Sequence, residues 1–178
     1  MSAAVPPLAR RHLPARPRAA LAATYVVIAC AAAYGGMKLG WALGGDLLKA
    51  QTPLPRDAQQ ALLVDDNATA VASHWISVLL AATGAVVAWI IGTDRAGRQT
   101  GRLLRAGAWA VGMLMVVRAV GGFGFGFVGD ALVLGHVSSV VDPRYAEHAA
   151  HWDVFLWSPF WLLFGLAWGV LAYRTKTS

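Results

Sequence analysis

Residues 106–130 read AGAWAVGMLMVVRAVGGFGFGFVGD, an apolar run with a single fixed charge, Arg118, set inside it. About 20 apolar residues suffice for a helix to cross the hydrocarbon layer, so the length points to a membrane span. Arginine stays protonated at any pH a cell tolerates. A helix that carries it through lipid must therefore supply water, an anion or a route to the interface.

The rest of the chain has the matching composition. Of its 178 residues 57% are hydrophobic and only 13% charged, and the charges gather between long apolar runs. The reading is all-α, a four-helix transmembrane bundle in one domain over 19–173, with spans at about 19–45, 68–92, 106–128 and 154–173. Residues 1–18 hold Arg10, Arg11, Arg16 and Arg18 among Pro6, Pro7, Pro14 and Pro17. That segment is too polar to span and too proline-rich for a helix, so it reads as a basic tail, with 174–178 as a second, shorter one. Asp65, Asp66 or Asn67 is placed to cap the second span, and Asp142-Pro143 to start the last helix outside the bilayer. Pro159 is expected to kink that helix.

A secretory signal is the rival reading of the first span, since Val27-Ile28-Ala29-Cys30 resembles a lipoprotein cleavage box. The sequence remains apolar through Gly36 and resumes at Leu39–Gly45, where a released protein would turn polar, so a retained span is the better reading. Cys30 is the only cysteine, which excludes an intrachain disulfide, a dithiol redox pair and a thiolate metal cluster within one chain.

Charge sorts the segments by side. The N-terminal tail, residues 93–105 and the C-terminus are basic, whereas every acid except Asp94 lies in or beside the other two connections. Both termini are therefore expected in the cytoplasm of a multi-pass cell-membrane protein. The net charge of +6 marks topology, and nucleic acid is not an expected partner, because the arginines flank apolar spans instead of forming one folded face. Trp41, Trp75, Trp152 and Trp157 fall at the outer ends of the spans and Trp89, Trp109 and Trp168 toward the inner ends, as interfacial belts would.

Small residues recur at every fourth position, at Ala32, Gly36, Gly40 and Gly44, at Gly84, Ala88 and Gly92, and at Gly165 with Gly169. Such faces let helices approach closely, mainly within a bundle, and they also offer a surface to a second copy or a membrane-protein partner. Gly124-Phe-Gly126-Phe-Val-Gly129 matches the dinucleotide-binding pattern in letters only, since no strand precedes it. Its glycines more plausibly let a helix end bend.

Depth is more informative. On continuous helices each span brings one ionisable residue to the outer half: Lys38, His74, Arg118 and Asp153. Arg118 lies roughly 18 Å in from the cytoplasmic end, the deepest of the cations with no interface close by, and Asp153 is the acid nearest to it in depth on another span. Asp130 stands about 18 Å beyond Arg118 on the same helix, and reaches it only if the glycine-rich end folds back. His148 and His151 share a helix face near Glu147, a weak metal-ligand pattern for which solvated interfacial histidines are the default. No cofactor motif is present, and Ser73, Ser77 and Ser158 lack a defined base and orienter.

Trp41-Ala-Leu-Gly-Gly45 at the end of the first span and Trp157-Ser-Pro-Phe160 in the last resemble the Trp-Ala-Leu-Gly-Gly and Tyr-Ser-Pro motifs of a family of small, uncharacterised four-span bacterial membrane proteins. Trp157 stands where that family has tyrosine, and Lys38 where a histidine is common. The resemblance implies the four-span fold, in an actinobacterial type of protein, and supplies no reaction. Two functions follow as expectations. One is a non-catalytic bundle that binds a lipid, small ligand or protein partner at its outer polar layer. The other is an intramembrane enzyme or small transporter with an anion-binding or proton-handling centre at Arg118, Asp153, Lys38 and His74.

Overall fold

A computed structural model of the protein describes residues 18–54, 56–61, 68–95, 98–121, 126–135 and 143–174. The expected basic tail over 1–17, the cap at Asp65, Asp66 or Asn67, the Asp142 helix start, His136 and residues 122–125 of the glycine run lie outside the described residues. The described residues are helical with no strand: α1 Arg18–Ala42, α2 Arg56–Gln59, α3 Ala68–Gly92, α4 Arg98–Val120, α5 Phe127–Leu134, α6 Pro143–Trp152 and α7 Ser158–Arg174, the last two joined by a π-helical turn at Asp153–Trp157. Among the described residues four stretches are long and apolar enough to cross a membrane: Arg18–Ala42, Ala68–Gly92, Gln99–Val120 and Arg144–Tyr173.

Helix ends follow from local chemistry. In the Trp41-Ala-Leu-Gly-Gly45 motif Gly44 takes φ +89°, the Gly45 N–H donates to the Gly40 carbonyl at 2.8 Å, and the Gly44 N–H to the Trp41 carbonyl at 3.1 Å. That pair of bonds is a Schellman stop, which needs a left-handed residue and so selects glycine. Asp94 does the same for α3 at φ +51°, with Arg95 N–H bonded to Ile90 and Asp94 N–H to Ile91, both at 3.1 Å. Aspartate is among the few side chains that tolerate this conformation.

The third helix departs from the expected 106–128 by starting eight residues earlier and stopping at Val120. Gly121 at φ +135° and Gly126 at φ +93° turn the chain back on itself there. The expected kink at Pro159 becomes the π turn: Ser158 N–H bonds to the Asp153 carbonyl five residues back. Widening the turn makes room for the proline ring and absorbs its missing donor while the helix continues.

The long helices pack on their small residues. α1 crosses α3 where Gly35 meets Ala81 and Gly92 meets Thr24, and α4 crosses α7 where a Cβ on Gly112 would lie 2.9 Å from the Gly165 carbonyl oxygen. Only glycine permits backbones that close. α7 also lies against α1, and Val27, Ala31, Ala88, Phe164, Trp168 and Leu171 form the core between them. Gly36 and Gly40 behave differently: a Cβ at either would meet nothing within 4 Å.

Candidate functional site

Arg118 sits two residues before the end of α4. With α4 running from Arg98, its enclosure comes less from depth along the helix than from the returning chain. A Cβ on Gly126 would stand 2.5 Å from the Ala119 carbonyl oxygen and 2.7 Å from that of Arg118, so α5 begins directly against the last turn of α4. Facing it, the π turn brings in Asp153, fully buried.

The expected partnership between these two residues is present and bidentate. Arg118 Nη1 donates to Asp153 Oδ2 at 3.2 Å and Nη2 to Oδ1 at 3.1 Å. The Gly126 N–H adds a third bond to Oδ2 at 2.9 Å. A buried ion pair offsets its desolvation only when its remaining lone pairs are bonded, and this backbone donor helps to meet that condition. One carboxylate thus joins α4, the π turn and the start of α5.

The fold-back also delivers Asp130, which the continuous-helix reading had placed too far out. Asp130 is 4% exposed, lies beside Asp153, and its Oδ2 accepts no hydrogen bond among the described residues. Burial pushes its carboxyl up from 3.8 to about 7; the neighbouring Asp153 charge and their hydrogen bond add to the rise, and Arg118 opposes it. Two adjacent carboxylates ionise together with difficulty, and a proton held between them leaves the Arg118–Asp153–Asp130 group neutral overall. The glycines at 121 and 126 were the only sequence signal for this arrangement.

Lys38 and His74 form a separate group on α1 and α3. Lys38 Nζ lies 4.0 Å from the centre of the Trp41 ring and 5.6 Å from that of Tyr34. His74 is buried and packs edge-on to Trp41 with ring centres 5.4 Å apart. The four expected residues are thus held as two pairs, one by carboxylate and one by aromatic faces.

Two tryptophans of the expected belts have another role. Trp41 and Trp157 are 2% and 6% exposed, and their indole N–H groups donate to Leu47 and Gln51 carbonyls at 2.6 and 2.7 Å. Tyr145 adds a bond to the Leu54 carbonyl at 2.9 Å. Buried aromatics with a polar tip can fix backbone in this way, and here they pin residues 47–54 over the acidic end. Trp168 is likewise buried, while Trp75, Trp89 and Trp109 are exposed as a belt requires. Beneath the pinned segment a cavity of about 580 Å³ opens between α1 and α7, lined by Ala32, Gly36, Gly40, Leu156, Phe160 and Asp46.

His148 packs against Trp152, and His151 Nδ1 is bonded to the Glu147 carbonyl of its own helix at 2.7 Å. Among the described residues no group of three or more His, Cys, Asp or Glu side chains is arranged to hold a metal. The Ser158 hydroxyl is buried without a hydrogen-bond partner among those residues, so no base faces it there.

Residues 31–168, which include every residue of both groups, match the family described as "Protein of unknown function (DUF3995)". The chain belongs to that family. No curated protein and no solved structure matches it. Membership in the DUF3995 family covers most of the chain and, like the two short motifs, assigns no chemistry.

Proposed function

We propose that this DUF3995 protein is a non-catalytic, multi-pass cell-membrane protein with both termini cytoplasmic, which binds an amphipathic lipid or small ligand at its outer polar layer. The observation that carries the reading is the state of Arg118: both of its terminal nitrogens are committed to Asp153, which a backbone N–H also holds. An arginine so engaged closes the fold instead of awaiting an anionic substrate. The room for a ligand lies between α1 and α7. A Cβ on Gly36 or Gly40 would meet nothing within 4 Å among the described residues, and with Ala32 these glycines line the cavity, whose lining is apolar but for a few groups such as Asp46. An apolar body with a polar end suits that form.

Untargeted lipid and metabolite analysis of the purified protein tests this directly. The expected result is an amphipathic compound retained by the natural sequence and lost in Gly40→Leu, where the added side chain enters the cavity. The same lipids on both proteins would contradict it. Orientation is tested in intact cells on a Cys30→Ser background: Gln60→Cys should label from outside and Arg98→Cys should not.

A second reading rests on Asp130 beside Asp153. A carboxyl pair that exchanges a proton near neutral pH could serve a proton-handling centre. It would require proton movement across vesicles that Asp130→Asn abolishes.

A further inference from the structure

α3 and α4 follow one another in the chain yet barely touch, because α3 packs on α1 and α4 on α7. Between them runs a cleft of about 490 Å³, walled by Gly84 and Val87 of α3, by Gly107 and Val111 of α4, and floored by Phe164 and Trp168 of α7. Along α4 it extends from Leu103 to Met115, a rise of about 18 Å. One leaflet contributes about half of the roughly 30 Å hydrocarbon layer, so the cleft matches a chain entering from one side and is too short for a spanning helix.

Trp168 supplies the second observation. It is 3% exposed, and its Nε1 has no hydrogen-bond partner among the described residues. Buried indole N–H groups normally find an acceptor. Gly84 of α3 meets the ring at Cζ2, two bonds from Nε1, where an added Cβ would lie 3.6 Å away, and Trp168 lines the cleft. A hydrocarbon tail has no acceptor to offer, whereas an ester-linked chain has its carbonyl. Trp168 precedes the end of α7 at Arg174 by about 9 Å, close to the level at which ester groups meet the hydrocarbon boundary. Residues 93–105, at that end of the sequence between the two spans, include Arg95, Arg98, Arg102 and Arg105 against Asp94. Such a cluster attracts an anionic headgroup.

We propose that the α3–α4 cleft binds one acyl chain of an anionic glycerophospholipid from the leaflet at the basic end, with Trp168 Nε1 donating to its ester carbonyl. The cleft has α3 and α4 as its walls and lies toward the opposite end from the α1–α7 cavity, with Tyr34 reaching both, so variants at Gly107 and at Gly40 separate the two.

Native mass spectrometry of the full-length protein, titrated with phosphatidylglycerol or with phosphatidylcholine, tests it. One phosphatidylglycerol should bind about ten-fold more tightly than phosphatidylcholine. Gly107→Phe places a ring in the cleft where a Cβ meets nothing within 4 Å, and should weaken that binding about ten-fold or more, while Gly40→Leu should leave it unchanged. Trp168→Phe keeps the shape and removes the donor, and should weaken binding about five-fold. The thermal upshift given by phosphatidylglycerol should shrink in the same variant, which keeps the test valid should Gly107→Phe fold poorly. Equal binding of the two lipids, binding unaffected by both cleft variants, or cross-linking of Gly107→Cys to a second copy on a Cys30→Ser background would overturn the proposal.

Discussion

Lys38 and Arg118 each stand within a few residues of the acidic end of an apolar helix, yet the protein treats them differently. Arg118 is roofed by the returning chain at Gly126 and α5, and is met by a fully buried carboxylate. Lys38 instead rests its ammonium on the faces of Trp41 and Tyr34. At similar distances from a helix end the two cations therefore meet different partners, one a fixed anion and the other aromatic faces. A guanidinium fork under a lid of backbone is held by two parallel bonds, whereas a flexible ammonium close to the helix end is served by ring quadrupoles.

The contrast can be broken most strongly at Asp153. Asp153→Asn leaves the roofed cation without its counter-charge, and thermal unfolding in detergent should register a loss of about 3–5 kcal/mol. Removing the roof is the next largest change. Gly126→Ala forces a side chain into φ +93° and against the Ala119 carbonyl, and should cost about 1–3 kcal/mol, with faster amide exchange confined to α5 and the π turn.

Asp130 sharpens the comparison through pH. Its folded-state carboxyl is raised to about 7 from 3.8, so the folded protein holds the proton that the unfolded chain has released. The stability this proton contributes is fully present below pH 3.8 and is lost as pH rises toward 7. Unfolding curves should show stability declining over that window, a trend that Asp130→Asn should flatten. The smallest effect belongs to the other cation: Lys38→Met should change stability by less than about 1 kcal/mol, and a loss as large as that of Asp153→Asn would erase the distinction between the two sites.

Much of this was legible in the residues. Periodic apolar length foretold four helices able to cross a membrane, and the relative depth of Arg118 and Asp153 foretold their contact. Asp130 was not, because its position depends on where a glycine-rich run reverses, and several of its glycines could have done so. Once Gly121 and Gly126 take positive φ, a residue placed about 18 Å away on a straight helix folds back beside the pair. The small-residue stripes illustrate the same limit. Gly165 and Gly92 seat neighbouring helices, but Gly36 and Gly40 leave space, and spacing alone does not distinguish contact from cavity. The α3–α4 cleft was invisible for a related reason: it exists because consecutive helices each prefer another partner.

The account depends most on Arg118 and Asp153 acting as one unit, and a double-mutant cycle measures this. Arg118→Met, Asp153→Asn and the double variant are compared with the natural protein by thermal unfolding in the same detergent. The expected result is a double variant less damaged than the sum of its single changes, with a coupling of about 2–3 kcal/mol. Strict additivity, or a silent Asp153→Asn, would show that the two charges do not hold one another and that Arg118 is stabilised by something other than this carboxylate.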